Sequence, residues 1–165
     1  MNQDTMEKVF METFATYGDA IFSFCLVKVS NVELAEDMTQ EVFMRYWQYL
    51  RDGKAMSNTR SFLYTIANNL AKDWYKKKKA DSLEQHLETK PDPADTSANP
   101  EVLASHAEVL EAIEGMEPDD KTVLLLRYVE ELPPREIATI LDVSPNVVSV
   151  RLNRATKRLH KNLHL

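Results

Sequence analysis

The feature that most constrains the fold is a helical repeat of apolar residues that stops in the middle of the chain and then resumes. Apolar residues recur with the period of a helix in three segments, 10–25, 34–50 and 62–74, and the period returns from residue 101 onward. Only three glycines and few alternating β-branched residues occur, which favours helices over strands. The chain is therefore predicted to be all-α. The first repeat comprises Phe10, Phe14, Tyr17, Ile21 and Cys25.

Residues 81–100 separate the two sets of predicted helices. This stretch contains prolines, is acidic and has few apolar residues, which is typical of a flexible linker. Twenty residues extend to about 70 Å at most, a length of about twenty base pairs of duplex DNA. We predict two small helical domains, a three-to-four-helix domain over 1–80 and a four-helix domain over 101–165, joined by this linker.

The net charge of −6 is distributed unevenly along the chain. Residues 1–80 have a net charge of +1, residues 81–120 of −11, and residues 121–165 of +4. Because binding to phosphate is a local electrostatic matter, both flanks can still contact nucleic acid. There is no transmembrane-length apolar run and no secretion signal, so we expect a cytoplasmic chain without membrane insertion. The single cysteine, Cys25, lies in an apolar run and is interpreted as a core residue.

The segment PPREIATILDVSPNVVSVRLNRATKRL has the layout of a helix-turn-helix. A short helix is predicted over Pro134 to Leu141, and a second begins with Ser144 as N-cap and Pro145 at its first position. On the second helix, short and polar side chains come first and cations follow, an order that suits approach to the major groove. The alternative is an ordinary solvated basic face on a helical hairpin.

The same segment carries a family resemblance. Residues 118–159, with VLLLRYVEELPPREIATIL and VSPNVVSVRLNRATKRL, resemble region 4 of the extracytoplasmic-function (ECF) class in the sigma-70 family. Residues 12–79 resemble its region 2, in AEDMTQEVFMRYW and RSFLYTIANNLAKDWYKKKK. The resemblance implies an alternative sigma factor that binds bacterial core RNA polymerase and directs promoter-specific initiation. Region 2 would bind polymerase and recognise and melt the −10 element, and region 4 would recognise the −35 element.

This chain departs from the family pattern at the helix-turn-helix. The family has glycine in the turn where this chain has Asp142, a residue that tolerates the left-handed conformation better than most. The second helix lacks a hydroxyl and a cation that the family has near its start, which favours contacts of Val147 or Val150 with thymine methyl groups. The resemblance places −35 DNA contacts at Asn146, Val147, Ser149, Val150, Arg151, Arg154, Lys157 and Arg158.

Carboxylates spaced by four residues line one face of the second predicted helix, at Glu33, Asp37 and Glu41. Three interpretations are open: a carboxylate metal site or acid–base pair, a solvated face, and a protein-docking surface. No histidine accompanies the carboxylates, because all four histidines lie at or beyond residue 86. The resemblance favours docking on the polymerase clamp and assigns this role to Asp37, Gln40, Glu41 and Arg45.

The loop after this helix, together with the next helix, combines cations, amides and aromatic rings. Holding an unpaired base requires a stacking surface, polar groups at the base edge and counter-charge for phosphate. Trp74 fits the buried stripe and is predicted to be core, and the Lys76–Lys79 run also suits a solvated helix end. The resemblance implies that this segment contacts the −10 element, and the predicted −10 DNA contacts are Arg51, Lys54, Asn58, Arg60, Tyr64, Asn68, Asn69, Lys72 and Lys76.

The sequence predicts no catalytic residue, metal or cofactor, and the partners expected are core polymerase, promoter DNA and an anti-sigma factor. Three alternatives remain. A stand-alone helix-turn-helix regulator would leave the first domain unexplained. A nuclease with a metal held by Glu33, Asp37 and Glu41 would cleave DNA in the presence of magnesium. A sigma-like antagonist would bind polymerase without initiating.

Overall fold

The computed structural model describes residues 1–84, 111–113 and 115–162, and every regular element within these residues is helical. The chain divides into two compact units, unit 1 (Met1–Ser97) and unit 2 (Ala98–Leu165). The prediction of an all-α protein with two helical domains is confirmed. Most of the predicted linker, residues 85–100, lies outside the described residues.

Unit 1 contains three long helices, α1 (Gln3–Val29), α2 (Val32–Arg51) and α3 (Thr59–Glu84). The connection between α1 and α2 is short because Ser30 takes a left-handed conformation (φ 52°) that ends α1. The next residue, Asn31, then caps α2, and its Oδ1 accepts from the backbone N–H of Leu34 at 2.9 Å. Ser30 therefore ends the preceding helix and leaves the capping of α2 to Asn31.

Aromatic rings fill much of the space between α1 and α2. The ring of Phe10 contacts the rings of Tyr46 and Trp47 at centroid distances of 6.0 and 5.5 Å. Phe14 packs edge-on against Phe43 at 4.9 Å. Cys25 is fully buried in the same unit, and burial raises the pKa of its thiol to about 12. This thiol is therefore protonated and unreactive at neutral pH, which agrees with its interpretation as a core residue.

Helix α3 runs four residues into the segment predicted as linker, since it ends at Glu84 rather than before residue 81. No glycine or proline occurs between Lys76 and Glu84, so continuing the helix costs little. The predicted start of the linker is therefore too early.

Unit 2 contains shorter elements: α4 (Pro118–Leu124), a π-helical segment (Leu125–Val129), α5 (Pro134–Leu141) and α6 (Pro145–Asn162). The helix that begins at Pro118 continues without a break past Leu124 but widens to π-helix at Leu125. Of the helix predicted from residue 101, only 111–113 are described, and they are helical. Aliphatic residues form the core of unit 2, among them Val123, Leu126, Leu132, Ile137 and Val148. Among the described helices, none is both long and apolar enough to cross a membrane.

Candidate nucleic-acid interface

Helices α5 and α6 form a helix-turn-helix whose turn is fixed by backbone hydrogen bonds. Asp142 ends α5 in the left-handed conformation (φ 54°), and the N–H of Val143 donates to the carbonyl of Ala138 at 3.0 Å. Ser144 then opens α6, because its Oγ accepts from the N–H of Val147 at 3.3 Å. Asp142 thus occupies the left-handed position that glycine would hold at lower steric cost. The sequence signals placed both helix starts correctly.

One face of α6 is buried against unit 2 and the other is open to solvent. Val148 and Ala155 are buried and Leu152 and Leu159 are half-buried, and these four apolar residues recur at the spacing of one helix face. Val150 is 60% exposed and Val147 is 37% exposed, so the open face of the helix carries two apolar side chains. Of the predicted −35 contacts, Arg151 is half-buried; the exposed ones are Asn146, Val147, Ser149, Val150, Arg154, Lys157 and Arg158.

Two of the exposed arginines are paired with a carboxylate that the sequence did not point to. Asp120 on α4 is fully buried, and its Oδ1 accepts from Nη2 and Nε of Arg154 at 2.8 and 3.1 Å. Nε of Arg158 lies 3.8 Å from Oδ2 of the same residue. The guanidinium of Arg154 is therefore held toward α4, and α4 is tied to α6. We call Asp120, Arg154 and Arg158 the carboxylate clasp. No local signal reveals it, because 34 residues separate Asp120 from Arg154.

The carboxylate face of α2 is on the surface of unit 1. Asp37 and Gln40 are exposed, while Glu41 pairs with Arg45 at 2.8 Å on the same helix. Met44 continues this face one turn beyond Gln40 and is 57% exposed, a residue that sequence reasoning missed. Within the described ranges, no group of three or more acidic, histidine or cysteine side chains is placed to hold a metal ion.

The end of α2 and the loop that follows it present two of the predicted cations. Arg51 and Lys54 are both exposed, and Nζ of Lys54 lies 5.6 Å from the centre of the Tyr49 ring. The hydroxyl of Tyr49 donates to the carbonyl of Ala55 at 2.8 Å, which fixes the course of the loop. Asn58 begins α3, and its Oδ1 accepts from the N–H of Ser61 at 3.0 Å. The Asn58 side chain thus has a structural role as a helix cap.

Two of the predicted −10 contacts are inside unit 1. Tyr64 is fully buried with its ring 5.4 Å from that of Phe24, and Asn68 is 1% exposed. The prediction that these two side chains contact DNA is wrong for the folded unit, because both are on the face of α3 that packs into the core. Arg60 is half-buried, whereas Asn69, Lys72 and Lys76 are exposed.

Trp74 also differs from expectation, since it is only half-buried rather than part of the core. Nζ of Lys78 lies over its ring at 4.8 Å from the centroid, so the indole is covered on one side by a cation. The neighbouring Tyr75 donates a hydrogen bond to the carbonyl of Lys28, and burial raises the pKa of Tyr75 to about 12. Tyr75 therefore joins the end of α1 to α3.

The order of these surfaces along the chain matches two regions of one protein family. The family model described as sigma-70 region 2 matches residues 13–80, and that of sigma-70 region 4 matches residues 106–159. The chain belongs to the sigma-70 family. Both matches overlap the segments that the residue patterns indicated, and together they include all of α2 and α5 and most of α3 and α6.

Curated relatives and solved structures agree with this assignment. The chain is 27% identical to the ECF RNA polymerase sigma factor SigW of Bacillus subtilis, over 95% of this chain and 90% of the relative. It is also 27% identical to SigX of the same organism, over 97% and 86%. The chain is therefore an ECF sigma factor, which acts with RNA polymerase in promoter-directed transcription.

Two solved structures share the fold at low sequence identity. The sigma factor RpoE of Bartonella quintana, crystallised with the anti-sigma factor NepR, superposes with a TM-score of 0.79 at 20% identity, over 96% of this chain and 98% of that one. CnrH, in complex with the cytosolic domain of CnrY, gives a TM-score of 0.71 at 21% identity, over 96% and 89%.

Proposed function

We propose that the two units of this sigma factor divide the promoter between them. Unit 1 binds core RNA polymerase through α2 and engages the melted −10 element through the α2–α3 loop and α3. Unit 2 reads the −35 duplex through α6. The observation that carries the proposal is the open face of α6, which follows a well-formed turn and offers amide, apolar and cationic side chains.

The polymerase-binding assignment is supported by the exposure and charge of α2. Asp37 and Gln40 are exposed and suit a basic partner surface, and the exposed Met44 offers an apolar group at the same face. Protein interfaces commonly combine such an apolar centre with a polar rim, and methionine is enriched there. Glu41 would contribute less charge than its neighbours, because Arg45 already pairs with it.

The −10 assignment is supported by exposed cations on both sides of Asn58. Arg51 is the last residue of α2, Lys54 lies in the loop that follows, and Lys72 and Lys76 lie on α3. Cations of this kind compensate the phosphate charge of a separated strand. With Tyr64 and Asn68 buried, contact with the bases falls to the loop and to Asn69.

In this proposal the chain selects the site of initiation and performs no chemistry of its own. Phosphoryl transfer is carried out by the polymerase, and the chain works where bacterial promoters are, in the cytoplasm. An anti-sigma protein is a further proposed partner, because the RpoE structure was obtained with the anti-sigma factor NepR.

Run-off transcription with purified bacterial core polymerase, with and without the chain, over a genomic promoter library tests the proposal. We expect initiation at a small set of sites that share two upstream elements. Binding of the chain to polymerase without any selective initiation would instead identify a sigma-like antagonist. Binding to a palindromic DNA site in the absence of polymerase would indicate a stand-alone regulator.

The polymerase-binding surface is tested by the double variant Asp37→Lys, Glu41→Lys. Both side chains are at the surface, so circular dichroism should show a folded chain, while co-purification with core polymerase should fall at least about tenfold because like charges now oppose each other. Asp19→Lys, which reverses an exposed acid on α1, is the matched control and should co-purify like the parent. Undiminished co-purification of the double variant would contradict the assignment.

A further inference from the structure

The side chains that project furthest from α6 form a single line. Val148 and Ala155 mark the buried side, and the residues opposite them recur at i, i+4, i+7 and i+11. All four are exposed, and Val150, the one apolar residue among them, is the most exposed valine of the described residues. This groove line consists of Asn146, Val150, Asn153 and Lys157.

The chemistry of the groove line is selective among base pairs. In the major groove, an asparagine amide pairs with N6 and N7 of adenine, and an apolar side chain contacts the C5-methyl group of thymine. Both of these groups belong to an A·T pair. Asn146 and Asn153 are about 10 Å apart along the helix axis, a distance that covers about three base pairs at ~3.4 Å each.

Guanine-reading groups are set back from the groove line. Arginine is the usual partner of guanine O6 and N7. Arg151 is half-buried, and the guanidinium of Arg154 is held by the carboxylate clasp. The fourth member of the line, Lys157, lies more than two turns beyond the first and can reach phosphate. The exposed part of α6 that enters the groove first therefore offers amide and methyl groups.

We infer that α6 reads A·T base pairs directly in the −35 element, with Val150 packed against a thymine methyl group and Asn146 and Asn153 on adenine edges. This inference rests on the proposed function, in which α6 enters the major groove. It adds Asn153 to the residues that determine promoter choice and makes Val150 the centre of recognition.

Single replacement of thymine by deoxyuridine tests the inference, because it removes only the methyl group. Holoenzyme formed from core polymerase and the chain is bound, at one fixed salt concentration, to a promoter found in the run-off library. Each thymine of the −35 element is replaced in turn. Loss of one buried methyl contact should weaken binding about fourfold, the equivalent of about 0.8 kcal/mol.

Variants of the chain show whether Val150 is responsible. With Val150→Ala the effect of deoxyuridine should disappear, whereas Val129→Ala, an exposed valine on the π-helical segment, should leave it at about fourfold. Val150→Ser also removes both γ-methyl groups, so it should abolish the effect of deoxyuridine in the same way and provides a second variant if Val150→Ala is poorly folded. Asn153→Ala should reduce discrimination between adenine and guanine at one position by at least about fivefold.

The outcomes separate the inference from the proposed function. Holoenzyme that initiates selectively but binds deoxyuridine promoters like the parent promoter would overturn the inference and leave the proposed function intact. The inference also fails if Val150→Ala remains as sensitive to deoxyuridine as the parent. Failure of the holoenzyme to initiate at any site would overturn the proposed function, and the inference with it.

Discussion

Unit 1 and unit 2 are both helical, but they are held together in different ways. The helices of unit 1 contain 27, 20 and 26 residues and share long interfaces filled with aromatic rings. Helices α4 and α5 of unit 2 contain only 7 and 8 residues, and its core is aliphatic. Short helices bury little surface each, so their relative placement depends more on the turns between them. Packing therefore fixes the arrangement of unit 1, whereas turns contribute more to that of unit 2.

Backbone strain follows the same division. Of the three non-glycine residues with positive φ in the described parts of the chain, Glu131 and Asp142 are in unit 2, on either side of α5. Unit 2 also contains the carboxylate clasp, which joins α4 to α6. The orientation of α6 within unit 2 thus depends on two strained residues and one buried carboxylate.

The largest effect is expected from removing an aromatic ring in unit 1. Tyr46 is 1% exposed and contacts the rings of Phe10 and Phe62, so Tyr46→Ala should destabilise unit 1 by about 3–5 kcal/mol. Hydrogen exchange of the full chain, measured by mass spectrometry, should show lost protection in α1–α3 alone. Tyr46→Phe removes only the hydroxyl, 3.1 Å from Oγ1 of Thr13, and should cost about 1 kcal/mol. Equal loss of protection in unit 2 would show that the units unfold together.

A smaller effect is expected from neutralising the carboxylate clasp. Asp120→Asn should destabilise unit 2 by about 1–2 kcal/mol, because both arginines of the clasp are half exposed and can be solvated in its absence. The same change releases two cations on α6. Affinity for DNA should become more salt-dependent, with a slope steeper by about 1 for each added phosphate contact.

The neighbouring Asp119→Asn is the matched control for this prediction, since Asp119 is exposed on the same helix. We expect it to change neither the free energy of unfolding nor the geometry of α6. A salt dependence that is equal in the two variants would show that Asp120 does not restrain the arginines.

The smallest effect is expected from relieving backbone strain. Glu131→Gly and Asp142→Gly should each stabilise unit 2 by about 0.5–1 kcal/mol, since φ is 55° and 54° at these positions. Glu130→Gly is the control, because φ there is −89° and glycine should destabilise by a similar amount. Chemical denaturation of unit 2 measures all three. Destabilisation by both positive-φ variants would contradict the view that turns limit its stability.

Local signals in the sequence predicted much of the fold and part of the candidate site. The spacing of apolar residues indicated three helices in unit 1, and the prolines at 134 and 145 with Ser144 indicated both helices of the helix-turn-helix. The left-handed residue Asp142 was also expected. These features depend on a few adjacent residues, because helix periodicity, capping and turn conformation are decided within one or two turns.

Other features were decided only by tertiary structure. Asp120 became a partner of Arg154 because the folding of unit 2 brings α4 against α6, and no spacing of residues 34 apart predicts such a contact. Tyr64 and Asn68 were assigned to DNA by residue type, but the packing of α3 turned them into the core. The amino-acid sequence by itself determined which segments are helical and to which family the chain belongs. Contacts between segments that are distant in the chain decided which polar groups remain exposed. At such contacts, burial and ion pairing outweigh residue type.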